Sequence, residues 1–114
     1  MKSFEQVWDD IRRILQNKSE VKTLCKGIKN KIMGVEQNAI IVKSEMTGNE
    51  RVITKSDFEY VWNQLIISGS INSLDKLSKI RGRRAITCAV LALLAYIEGE
   101  CNLGRVRLKL KEFY

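Results

Sequence analysis

The 114-residue chain predicts an α+β fold. It has an N-terminal amphipathic helix, an antiparallel sheet of three to four strands, a helical half and a buried central apolar helix. Three observations carry that prediction. Phe4-Glu-Gln-Val-Trp-Asp-Asp-Ile11 and Phe58-Glu-Tyr-Val-Trp-Asn-Gln-Leu65 both place apolar residues at helical spacings of three and four. Between them the period shortens to two, with turn residues at close intervals. Beyond them, Ala85 to Ile97 is apolar and uncharged, a rod that belongs inside a core.

The elements follow in order. Ser3-Phe-Glu-Gln6 reads as a capping box, and the first helix runs on to Asn17. Phe4, Val7, Trp8, Ile11, Ile14 and Leu15 share one face, with Asp9, Asp10, Arg12 and Arg13 opposite. Val21 to Cys25 reads as a short strand followed by a Lys-rich connection. Ile32–Glu36 and Ala39–Ser44 read as strands joined at Gln37-Asn38. Gly48 and Asn49 suit a second turn, and Arg51–Thr54 completes a meander. Thr54 or Ser56 caps the next helix, Ser56-Asp-Phe-Glu59 having the form of a second box. Ser68-Gly-Ser breaks it. A short helix starts at Asn72 or Ser73, with Leu74, Leu77 and Ile80 on its buried side. The central helix is then expected to run until Gly99 stops it, flanked by the two Phe/Trp helices. In the tail, Val106, Leu108 and Leu110 alternate with Arg105, Arg107, Lys109 and Lys111, a strand expected at an edge of the meander.

Composition bounds the function classes. With 45% apolar and 29% charged residues and no Pro, the chain reads as one globular domain spanning 1–114. Its longest apolar run is shorter than the roughly 20 residues that a bilayer requires, which predicts no membrane contact. The acidic, amphipathic N-terminus lacks signal-peptide character, which predicts a cytoplasmic protein. There is no His, and Cys25, Cys88 and Cys101 form no Cys-x-x-Cys pair. The usual zinc sets and His-activated nucleophiles are thereby excluded. Cys88 reads as a core residue.

The net charge of +7 is segregated. Residues 18–31, 76–84 and 105–111 hold fourteen of the twenty cations and one of the thirteen acids. Lys79, Arg81, Arg83 and Arg84 crowd the expected start of the central helix. Backbone N–H groups already make that end positive, so cations there call for an anion. A solvated basic loop explains the same residues equally well. The helical pair 74–94 has too few polar side chains on its second member to read base edges, but it suits a grip on phosphates. Arg105, Arg107, Lys109 and Lys111 extend the basic surface, although edge strands also carry cations to prevent aggregation. Trp8 and Trp62 lie on apolar stripes. Tyr60, Phe113 and Tyr114 are freer to stack on bases.

Catalytic constellations are thin. Glu20-Val-Lys22 with Asp9 and Asp10 loosely resembles the acid-x-Lys of metal-dependent nucleases, but nothing converges its carboxylates. The sequence therefore predicts a non-enzymatic module that holds nucleic-acid phosphates through Lys79, Arg81, Arg83, Arg84, Arg105, Arg107, Lys109 and Lys111. No metal, cofactor or small-molecule substrate is expected. The alternative is a protein-interaction or self-association module, with an acidic partner or a homodimer interface.

Overall fold

The computed structural model describes residues 2–111. It is an α+β protein whose strands form two antiparallel sheets, one of four strands and one of three. Helix α1, Phe4–Gln16, begins at the expected box. The Ser3 hydroxyl accepts from the Gln6 N–H, and the Gln6 side chain accepts from the Ser3 N–H. Two of the orphan donors at the helix start are satisfied in this way. Val7, Trp8, Ile11 and Leu15 are buried. The first sheet follows in chain order as β1 (Glu20–Lys22), β2 (Lys29–Val35), β3 (Ala39–Ser44) and β4 (Glu50–Thr54). A bulge between Ile32 and Gly34 shifts the β2–β3 register. Ile40, Val42 and Ile53 face the core. The Trp8 indole donates to the Gln37 carbonyl at 2.8 Å, tying α1 to the β2–β3 turn.

Helix α2, Lys55–Ser68, follows β4 directly, with Thr54 as its N-cap. Its box is Thr54 with Asp57, not Ser56 with Glu59: each side chain accepts the other residue's backbone N–H. Thr54 leaves the strand in extended geometry, which puts its hydroxyl at the helix mouth before Ser56 can compete. Phe58, Val61, Trp62 and Leu65 are buried. Trp8 and Phe58 lie 5.6 Å apart, centroid to centroid, where the two similar helices meet. Gly69, at φ 77°, ends α2 in the left-handed conformation that glycine adopts without strain.

The C-terminal half departs from expectation in three ways. The segment Leu74–Ile80, capped by Ser73, is a 3₁₀ helix interrupted at Leu77, so no pair of α-helices surrounds Gly82. The central helix, α3, covers only Arg84–Leu91. The chain turns through 92–96 and continues as β6, Ile97–Asn102. An apolar run has the same composition in a buried helix and a buried strand, which is why the boundary was illegible. Gly99 does not stop a helix; it lies inside β6, where a Cβ would stand 2.4 Å from that of Ala92. Finally, β7 (Arg105–Leu110) does not join the meander. It is the middle strand of the second sheet, between β5 (Ser70–Ile71) and β6. β5 covers only Leu108 and Lys109, so edge protection does not account for Lys109, whereas Arg105 and Arg107 lie beyond that cover.

One hydrophobic cluster joins both sheets and all three α-helices. Ile86 to Leu91 are buried without interruption, the all-round burial expected of a central helix. A disulfide between Cys25 and Cys101 links the β1–β2 loop to β6 across 76 residues of sequence. Cys88 is free and buried, and burial pushes its thiol up to about 12, so it remains an inert packing group.

Candidate functional site

The cations at the start of α3 divide among different tasks. Gly82 takes φ 89°, allowing the turn that separates Ile80 from α3. Arg83 bonds Asp57 through both ends of its guanidinium, Nε to Oδ2 at 2.9 Å and Nη2 to Oδ1 at 3.3 Å. The anion that those cations call for is thus supplied in part by the protein itself. Burial alone would raise the Asp57 carboxyl, but hydrogen bonds from Arg83 and Thr54 hold it below the usual carboxylate range. Arg84 donates to the Leu74 carbonyl at 3.0 Å, fastening α3 to the 3₁₀ segment. Lys79 lies 5.6 Å from the centre of the Tyr60 ring. Arg81 is exposed and joins no ion pair among the described residues. A shallow depression beside β4 collects Arg81 and Arg83 with Arg51, whose guanidinium reaches the Gly82 carbonyl. No side chain among the described residues caps α3, unlike α1 and α2.

The strand β7 has the two faces expected from its alternation. Val106 and Leu108 pack in the core, while Arg105, Arg107, Lys109 and Lys111 point outward. Its neighbours bring acids to the same face. Glu100 stands opposite Arg107, with 3.6 Å between the charged atoms, and Glu98 stands opposite Lys109. Arg107 also reaches Asn72 Oδ1 at 3.4 Å. Among the described residues two acids thus sit among four cations, leaving a positive surplus concentrated at Arg105 and Lys111, the two ends of the row.

Arg105 connects this row to a half-open cleft of about 380 Å³. The β1–β2 loop contributes Lys26 and Ile28 to its wall, the 3₁₀ segment contributes Leu74 and Asp75, and α3 contributes Ala85 from its first turn. The disulfide holds the loop carrying Lys26 against the sheet carrying Arg105.

The eight predicted residues therefore do not form one cluster. Arg105, Arg107, Lys109 and Lys111 share a face, and Arg84 anchors a wall of the adjoining cleft. Arg81 and Arg83 group with Arg51 by β4, and Lys79 rests against Tyr60. Of the eight, Arg83 and Arg107 have carboxylate partners among the described residues. Lys26 and Arg51 are missing from the predicted set. Both were visible as cations, but only the disulfide and the β4–Gly82 contact bring them to their places.

Other candidates have structural tasks. Trp8 and Trp62 are buried, and Tyr60 donates to the Lys76 carbonyl at 3.3 Å. Phe113 and Tyr114 lie outside the described residues. Asp10 accepts from Tyr96 and Lys2, both at 2.8 Å. Burial would raise its carboxyl, but those bonds keep it low. It is thereby committed away from Glu20, and no three potential metal ligands converge among the described residues. No helix among them is long and apolar enough to cross a membrane. The chain matches no family model, no curated protein and no solved structure.

Proposed function

We propose that the protein is a non-enzymatic nucleic-acid-binding module whose contact surface runs from Lys26 and Arg105 at the cleft along the outer face of β7. The observation that carries this reading is the cationic row on β7 with its positive ends at Arg105 and Lys111. Alternate residues of a strand are spaced about 7 Å apart, close to the rise of two nucleotides along one strand of a duplex, so a row of this kind suits a phosphate backbone. Lys26 lengthens the row beyond the hairpin. Glu98 and Glu100 limit the grip, which favours modest, non-specific affinity over tight binding. Arg83 is excluded from the contact set because Asp57 holds it.

The test is fluorescence anisotropy of a labelled duplex and a labelled single strand at low salt, with wild type and K26A/R105A/K109A. The reading predicts about a tenfold or greater loss in the triple variant, on the scale of three lost phosphate contacts. Unchanged affinity would reject it.

A second reading, self-association, is favoured by the outer face of the first sheet. Met33 and Val52 are about half exposed there, and β4 presents a free edge. Sedimentation equilibrium of wild type and Val52→Lys tests it, the substitution being expected to dissociate a dimer built on that edge.

A further inference from the structure

The hairpin joining β6 to β7 turns through Leu103 at φ 52° and Gly104 at φ 77°. Two successive residues of positive φ make the tight turn that normally selects Asn-Gly. Leu103 is the one described residue other than glycine with positive φ, and the residue is 96% exposed. Two unfavourable choices coincide: a leucine in a conformation that its Cβ opposes, and an apolar side chain held fully in water. Neither serves the fold, since Asn at this position would relieve both. The next two residues, Gly104 and Arg105, line the cleft described above, so the leucine stands at its lip.

We propose that the cleft receives a single unstacked nucleobase and that Leu103 fills the gap which that base leaves in the stack. The inference rests on the nucleic-acid reading and names what the surface does beyond holding phosphates. The cleft volume falls in the range of roughly 300–1,000 Å³ typical of small-molecule sites. Ile28, Leu74 and Val106 offer apolar walls to the faces of a planar ring. Polar groups stand among them. Asp75 is an acceptor suited to an exocyclic amine or a ring N–H. The Ser73 hydroxyl accepts from the Asp75 N–H, which leaves its own proton free to donate. Lys26 and Arg105 flank the opening, where the phosphates on either side of an extruded nucleotide would pass. Apolar wedges inserted between base steps are a known way of stabilising such disturbed stacks.

The experiment uses a DNA duplex carrying 2-aminopurine, either paired or opposite an abasic site. The wild type is expected to bind the unpaired form about tenfold more tightly, because the protein no longer supplies the unpairing energy. The fluorescence of 2-aminopurine should rise on binding, since no aromatic side chain among the described residues lines the cleft to quench it. Leu103→Asn should abolish the preference while keeping or raising the melting temperature, which separates wedge from scaffold. Ala85→Leu, which fills the cleft with a good helix former, should suppress the fluorescence change. Equal binding of both duplexes with unchanged fluorescence overturns the inference and leaves the backbone-binding reading standing. A Leu103→Asn variant that keeps the full preference overturns the role of the leucine. Failure to bind either duplex overturns the underlying reading as well.

Discussion

Removing the Asp57 carboxylate tests how the fold disposes of its most crowded cations. Asp57 closes the capping box of α2 with Thr54 and bonds Arg83 at the entry to α3. Its side chain is 11% exposed and that of Arg83 is 35% exposed, so the pair is partly screened. A hydrogen bond to a charged group contributes about 1.5–3 kcal/mol. Exposure of Arg83 puts this one near the lower end, about 1.5 kcal/mol. The lost cap adds about 1 kcal/mol, and the stranded guanidinium raises the expected cost of Asp57→Ala to about 3 kcal/mol. Arg83→Ala should cost about 1.5 kcal/mol. At about 4 °C per kcal/mol for a chain of this size, the melting temperatures fall by about 12 °C and 6 °C. Urea titrations of wild type, both single variants and the double variant yield the coupling energy directly, expected at about 1.5 kcal/mol.

The same pair sets a pH dependence. The folded carboxyl lies below its ordinary value of 3.8. Its contribution is therefore complete above that value and is lost as pH falls through the lower folded value. The stability gap between wild type and Asp57→Asn should be constant from pH 7 to pH 5 and narrow progressively below 3.8. A coupling energy under about 0.3 kcal/mol, within the additivity error of independent sites, or a gap that persists unchanged at the acid end, would refute the reasoning.

Other substitutions probe the joints between the two sheets. Gly99→Ala places a methyl 2.4 Å from the Ala92 Cβ and 3.2 Å from Leu24 and Leu108 side chains. Backbone on both sides must yield, so chemical denaturation should register a loss at or above the usual 1–3 kcal/mol of overpacking, about 3 kcal/mol. Cys101→Ser opens a cross-link spanning 76 residues. Chain entropy sets the cost at about 4 kcal/mol, measurable as a lower urea midpoint that reducing agent does not lower further. Trp8→Phe deletes the bond to the carbonyl of Gln37, a residue on the surface at the β2–β3 turn. The expected loss is about 1 kcal/mol in thermal unfolding, the net contribution of one hydrogen bond.

The parts of the fold that were legible are those where local chemistry and periodicity agree. The Ser3 box, the stripe Val7-Trp8-Ile11-Leu15, the meander and the alternation Val106-Leu108-Leu110 all announce their environment within a few residues. The parts that were not depend on partners distant in the chain. Ala85 to Ile97 divides into helix, turn and strand because Ile97 pairs with Leu110 and because Gly99 must pass close to Ala92 and Leu24. Neither constraint marks the run itself. Cys25 and Cys101 are separated by most of the fold, and only the approach of the two sheets makes them neighbours. The candidate site divides in the same way. The cationic face of β7 was readable from its period of two. The offsetting of part of that charge by Glu98 and Glu100 required knowing that β6 lies alongside. Arg83 looked equivalent to Arg81 and Arg84 until α2 brought Asp57 beneath it.

The most direct test of the binding surface is the salt dependence of duplex affinity. Contacts from Lys26, Arg105, Lys109 and Lys111 predict a slope of about −3.6 for log K against log salt concentration, at about −0.9 per phosphate. Removing three of the four cations in K26A/R105A/K109A should bring that slope to about −0.9. A triple variant that keeps the wild-type slope, or a wild type whose affinity ignores salt, would contradict the assignment.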